Sequence, residues 1–330
     1  MSYFLAGDIG GTKTRLAVVE VAGARVRVVH EASYPSRDYA RFEDLLGNFL
    51  SGAEPSGYAV FGIAGPVQGR VVQTTNLPWR IDADALQKQF GFARCTLLND
   101  LEATAYGLPA LGADDLLALQ AGAPDACGNT AVIAAGTGLG EAGLYWDGQC
   151  HHPFATEGGH TSFSPDNELD AALLHHLRQR YRHVSWERVV SGMGLLDLHE
   201  FLRVYRHADT PQWLADEMQS CDAAAAIADA ALSGRDEICA ETLNWFVRLY
   251  GAEASNLALK VMSRGGLYLA GGIAPKILPL LQNGAFLDAF LNKGRMRPLL
   301  EAMPVRVILN DRAALYGPAL WAAQLADGAS

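Results

Sequence analysis

The stretch Tyr3-Phe4-Leu5-Ala6-Gly7-Asp8-Ile9-Gly10-Gly11-Thr12-Lys13-Thr14, continued by Arg15-Leu16-Ala17-Val18-Val19, decides how this chain is read. Two apolar runs flank a glycine-rich turn, the pattern of a β-hairpin. Gly10 and Gly11 can take positive φ and carry no Cβ, so an anion could approach the backbone closely there. Thr12 and Thr14 add hydroxyl donors. Asp8, at the strand end, offers only oxygen acceptors and suits a hydrated Mg²⁺. The stretch predicts a seat for a nucleotide's phosphates, although an ordinary glycine hairpin would use the same residues. Two other phosphate loops are excluded. The Walker pattern needs Gly directly before Lys-Ser/Thr, and Thr12 stands in that place. The dinucleotide fingerprint leads from a strand into a helix, whereas a second strand follows here.

Apolar runs ending in glycine turns recur twice: Thr130–Ala135 before Gly136-Thr137-Gly138-Leu139-Gly140, and Gly266–Ala270 before Gly271-Gly272-Ile273. Three such turns at strand ends favour a nucleotide site over three unrelated β-turns. Helical spacing at Arg41–Leu50, Asp82–Phe90 and Leu101–Leu108 alternates with strand runs at Tyr58–Ile63 and Cys95–Leu98, which predicts an α/β layer. Pro109 to about Asp125 reads as a linker. Asp147-Gly148 reads as a hairpin turn, Ala155–Pro165 as a polar loop, and the chain beyond Glu168 as mostly helical. Gly317-Pro318 weakens the case for a closing helix over Ala313–Ala326.

A length of 330 residues suggests two domains or one large one. Half the residues are hydrophobic and the net charge is −10. A sizeable core is possible, and bulk attraction to nucleic acid or an anionic membrane is disfavoured. The five cysteines are widely spaced without a Cys-x-x-Cys. That argues against a disulfide framework or zinc knot and for a reducing cytoplasm. No apolar run of about 18 residues is present.

Three further places carry candidate chemistry. Asp100 follows a buried run and Asn99 at a strand's carboxyl end, where it could take a proton from a substrate hydroxyl; a helix N-cap is the alternative. Glu157-Gly158-Gly159-His160 sets two polar side chains around two glycines, fit for adjacent hydroxyls or for a plain surface loop. Glu187, near a helix start, reads by itself as a solvated carboxylate.

Taken together, these residues resemble the bacterial glucokinase family, within the hexokinase, heat-shock-protein-70 and actin-like ATPase superfamily. Asp8-Ile9-Gly10-Gly11-Thr12 resembles its first phosphate motif, Gly136-Thr137-Gly138-Leu139-Gly140 its second, and Leu269-Ala270-Gly271-Gly272-Ile273 its adenosine motif. Leu98-Asn99-Asp100 resembles the catalytic segment. Glu157-Gly158-Gly159-His160 and Glu187 with Ser191-Gly192-Met193-Gly194-Leu195 resemble the sugar-binding segments. The resemblance implies an α/β, two-domain actin-like (ribonuclease H-like) fold with a cleft between a small α/β domain (1–110 plus 301–330) and a larger α+β domain (111–300). It implies ATP and Mg²⁺, with Asp100 as the base for the glucose 6-hydroxyl and Asn99, Glu157, His160 and Glu187 binding the sugar. Asp8, Gly10, Gly11, Thr12, Gly136, Thr137, Gly138, Gly271 and Gly272 would hold the nucleotide. A cytoplasmic homodimer is expected. The cysteine-rich zinc motif of the related repressor and sugar-kinase group is replaced here by Thr161-Ser162-Phe163-Ser164-Pro165, so no protein-held metal is expected. The alternatives are a kinase for another hexose, a sugar-sensing regulator without turnover, or a glycosidase using Asp100 and Glu157.

Overall fold

The computed structural model describes residues 3–53, 57–65, 67, 69–74 and 77–328. The chain divides into two compact units. One comprises Met1–Leu116, His152–Ala155 and Asn310–Ser330; the other comprises Leu117–His151 and Thr156–Leu309.

The first unit opens with β1 (Tyr3–Ile9), β2 (Lys13–Ala22) and β3 (Arg25–Pro35), then α1 (Phe42–Leu50) and β4 (Tyr58–Ile63). It continues with β5 (Val71–Gln73), β6 (Arg80–Asp82), α2 (Ala83–Phe90), β7 (Arg94–Asn99) and α3 (Asp100–Gly107). Five strands form one sheet in the order β3-β2-β1-β4-β7. The hairpin pairs β1 and β2 antiparallel, whereas β1, β4 and β7 run parallel. Alternation along the strands fills both faces. Leu5, Leu16 and Phe61 pack with Phe42, Leu45, Leu46 and Phe49 of α1 and Leu86 of α2. Phe4, Ala6, Ala17 and Val60 pack with Ala103 of α3 and with Leu315, Ala319 and Ala322 of the last helix. That helix runs unbroken over Ala313–Asp327 with Pro318 inside it. The sequence reading doubted its first half. A mid-helix proline costs about 3 kcal/mol, and burial of Leu315, Pro318, Ala319 and Ala322 on the sheet offsets this.

Six further strands are β8 (Leu116–Gln120), β9 (Thr130–Ala135), β10 (Leu139–Trp146), β11 (His151–Thr156), β12 (Gly266–Ala270) and β13 (Val305–Ile308), all in the second unit apart from Leu116 and His152–Ala155. Their sheet order is β11-β10-β9-β12-β13-β8. The second unit's helices are α4 (Glu168–Leu177), α5 (Gly192–Tyr205), α6 (Gln212–Ser220), α7 (Ala223–Leu232), α8 (Glu237–Val261), and the short α9 (Leu278–Leu281), α10 (Ala285–Leu291) and α11 (Arg297–Glu301). The last helix, α12, belongs to the first unit. The buried stripe of α8, including Leu243, Phe246, Tyr250, Ala254 and Leu257, packs in one core with Ile133 of β9 and Leu267 and Leu269 of β12.

Three sequence expectations change here. The supposed linker contains β8, an edge strand, because its partner β13 is supplied from near the far end of the chain. β11 runs two residues into the supposed loop Ala155–Pro165, and its Pro153 stands on an edge strand where a missing N–H is tolerated. Residues 301–309, read with the small domain, contain β13, which pairs with β12 through Leu267 opposite Val305, and fall in the second unit. Among the described residues, no helix is long and apolar enough to cross a membrane.

Candidate active site

In the first unit, register assembles one edge. Ile9 lies opposite Ile63, and Ile63 opposite Asn99, so β1, β4 and β7 end together. Carboxyl ends of parallel strands are where α/β folds bind ligands. The Gly10–Gly11 turn and Asp100 both follow this edge. Asn99, 9% exposed, caps α3: its Oδ1 accepts from Leu101 N (3.0 Å) and Glu102 N (3.2 Å), and its Nδ2 donates to Gly65 O (3.2 Å). The alternative reading of Asp100 as the cap is therefore replaced. Asp100 is the first helical residue, its Oδ1 accepting from Leu101 N (2.9 Å). α3 can seat its first turn on β4 because Gly62 is bare; a Cβ there would come 2.7 Å from Ala103 Cβ.

The hairpin turn is braced rather than loose. Gly10 N–H donates to Lys13 O (3.0 Å), and the hydroxyl of buried Ser36 donates to Gly10 O (2.7 Å). Neither Gly10 nor Gly11 has positive φ, contrary to the use foreseen for them. A Cβ on Gly10 would press within 3.0 Å of Lys13 O, so its bareness serves the tight closure. Thr14 is buried against Ser36 Oγ (2.9 Å), which removes it as a phosphate donor; Thr12 is exposed. Asp8 lies opposite Arg15, and Arg15 Nη2 stands 3.4 Å from its Oδ2. Burial holds the Asp8 carboxyl above its ordinary range, and the Arg15 guanidinium offsets only part of that rise. Arg15 also pairs with Asp311 at 2.9 Å. Ser36, Arg15 and Asp311 escaped the sequence reading; Arg15 alone left a signal, as the charge opposite Asp8 in the hairpin register.

In the second unit, β9 and β12 run parallel with Ala270 opposite Ala134, so the Gly136–Gly138 and Gly271–Gly272 turns leave the same edge. Gly136 O accepts from Gly192 N (2.8 Å) at the start of α5, which Ser191 caps through Gly194 N (3.0 Å). A helix N-terminus beside this turn favours an anion. Gly271 has φ +83°, and a Cβ there would collide with Ala135 O. Gly272 faces open space.

The same edge gathers the expected sugar ligands. Glu187 Oε2 accepts from Leu139 N (3.1 Å), and a Cβ on Gly138 would collide with that oxygen. Glu187 thus adjoins the Gly136–Gly138 turn. His160 sits between two carboxylates, its Nδ1 3.9 Å from Glu187 Oε1 and its Nε2 3.8 Å from Glu157 Oε2. Glu157 and His160 are 60% exposed and Glu187 is 19% exposed. These polar groups flank bare backbone, a surface that a hydroxyl-rich ligand can bond and a phosphate can adjoin. Thr137 is exposed within the turn.

A family model described as Glucokinase matches residues 5–325. A glucokinase of Nostoc punctiforme is 44% identical over 98% of this chain and 100% of its own length. The crystal structure of a glucokinase from an Antarctic psychrotroph superposes with a TM-score of 0.84 at 31% identity, covering 98% of this chain and 99% of the other. A ROK family glucokinase from Streptomyces griseus, in complex with glucose and AMPPNP, shares the fold at a TM-score of 0.68 and 22% identity, covering 98% and 100%.

Proposed function

The chain belongs to the glucokinase family, and on that premise we propose how its residues divide the work of ATP-dependent glucose phosphorylation. Asp100 takes the proton of the glucose 6-hydroxyl as that oxygen attacks the γ-phosphorus. Asn99, fixed as the cap of α3, offers its second amide hydrogen to a neighbouring hydroxyl. Glu157, His160 and Glu187 bind the remaining hydroxyls. The observation that carries this reading is the convergence of the Glu157 and Glu187 carboxylates on His160, with Glu187 set directly against Gly138. It supports the reading because transfer from a nucleotide to a sugar requires hydroxyl acceptors beside a phosphate turn.

The Gly10–Thr12 and Gly136–Gly138 turns hold the nucleotide's phosphates, and Gly271–Gly272 its adenosine. Asp8 fits the magnesium that accompanies ATP: it is a hard oxygen donor at the sheet edge, and Arg15 engages its Oδ2. The metal supplies neutralisation of charge on the phosphate oxygens. The family resemblance further supports an actin-like two-domain arrangement, with domain closure excluding water from the transfer. It supports a homodimer in the cytoplasm as well.

A coupled assay of ADP release across glucose, mannose, fructose and N-acetylglucosamine tests the assignment. Glucose is expected to give the highest kcat/KM. Sugar binding without ADP release would indicate a sensing protein, and a preference for another hexose would move the substrate. Glu187→Ala is expected to raise the glucose KM about 30-fold, the worth of a hydrogen bond to a charged group. Because Glu187 Oε2 accepts from Leu139 N, the same substitution is expected to lower the melting temperature by about 2–4 °C. An unchanged KM would remove Glu187 from the sugar site.

A further inference from the structure

Beneath the sugar-facing turn lies a pair of carboxyls that the transfer chemistry does not use. Glu141 of β10 is 2% exposed and Glu253 of α8 is fully buried. The turn is fastened to β10 at Glu141. The Thr156 hydroxyl donates to Glu141 O (3.0 Å) and accepts from Gly158 N (3.2 Å). A Cβ on Gly158 would collide with Glu141 Oε2, and one on Gly159 would collide with Leu139 O. The two glycines of Glu157-Gly158-Gly159-His160 are therefore bare because β10 and the Glu141 carboxyl fill the space below them.

The charged surroundings of the pair come from three places. On α8, Asn256 Nδ2 donates to Glu253 Oε2 (2.8 Å), Lys260 Nζ stands 3.8 Å from Glu253 Oε1, and the Tyr250 phenol feels Glu141. Lys293, half-buried ahead of α11, faces Glu253, and Asp166 faces Lys293. Glu141 Oε1 has no hydrogen-bond partner among the described residues. Two adjacent buried carboxyls cannot both stay ionised. Burial and the neighbouring Glu253 push Glu141 up to about 8, and burial pushes Glu253 up as well, so the pair keeps a proton well above the ordinary carboxylate range.

We propose that Glu141 is a positioning residue for glucose: the proton it shares with Glu253 keeps the Glu157–His160 turn seated on β10, and loss of that proton unseats the turn and weakens glucose binding. The inference rests on the assignment of Glu157 and His160 to the sugar. The cause is desolvation. Once both carboxyls are charged, each demands water, and Gly158 is the backbone closing over Glu141, so hydration must lift the turn. Asp100, in the other unit, does not enter this linkage, so the effect belongs to affinity and not to the transfer step.

Glucose affinity can be followed by tryptophan fluorescence, Trp186 being the neighbour of Glu187. In the wild-type protein, Kd is expected to rise about fivefold between about pH 7 and about pH 9. Glu141→Gln keeps the shape without the titration, and its ratio of Kd values over the same range is expected to stay near one. The pH course of kcat at saturating glucose is expected to match in the two proteins. A flat wild-type profile, or an equal rise in both, would overturn the proposal. Glu253→Gln serves the same comparison if Glu141→Gln does not fold. A His160→Ala protein that binds glucose as tightly as wild type would instead show that the site assignment is at fault.

Discussion

Asp100→Asn is expected to lower kcat by about 10²- to 10⁴-fold, the range for removing a general base. The substitution is close to isosteric, and it spares the helix that carries the residue. Asn99 holds the N–H groups of both Leu101 and Glu102, and an amide oxygen at residue 100 can still accept from Leu101 N. The melting temperature should therefore stay within a degree or two of wild type. Glucose binding should change little, because the hydroxyls away from the reacting oxygen are held by other groups. A coupled assay with thermal melts on the same samples checks this. Turnover within about threefold of wild type, with an intact fold, would exclude Asp100 as the proton acceptor.

Gly317→Ala is expected to destabilise the protein by about 3 kcal/mol, at the upper end for overpacking. A Cβ on Gly317 would collide with the backbone oxygen of Ala103, and one on Gly107 would lie 2.5 Å from Ala313 O. The obstacle is backbone on both sides, so no side-chain rotation relieves it. Relief must come from α3 and α12 moving apart, and α3 begins at Asp100. Loss of stability should thus be accompanied by a fall in kcat beyond what the unfolded fraction explains. Chemical denaturation and activity at a temperature well below the melt separate the two effects. Unchanged stability would show that the two helices do not approach as closely as described.

Much of this architecture was legible because its signals are local. The alternation of Phe4, Leu5, Ala6 with Leu16, Ala17, Val18 across one short turn specifies the hairpin and both faces of its sheet. The Glu157–His160 segment announced itself through two glycines between two polar side chains. What escaped depends on partners distant in sequence. β8 was read as a linker because its pairing with β13 leaves no local trace. Pro318 argued against a helix that only burial on the sheet sustains. Adjacent Asn99 and Asp100 are both good caps, so a one-residue offset could not be resolved from composition. Gly10 and Gly11 were credited with positive φ, whereas their turn closes without it. Glu141 did leave a signal: it shares the inward parity of Leu139 and Gly143 on an apolar strand, where a carboxyl demands an explanation.

Asp100, Glu157, His160 and Glu187 are expected to engage one glucose molecule. A crystal structure with glucose and a non-hydrolysable ATP analogue tests it most directly. An Asp100 oxygen is expected within about 2.6–3.2 Å of the glucose 6-oxygen, with Glu157, His160 and Glu187 bonded to the other hydroxyls. A glucose held by those three residues with its 6-oxygen turned away from Asp100 would contradict it.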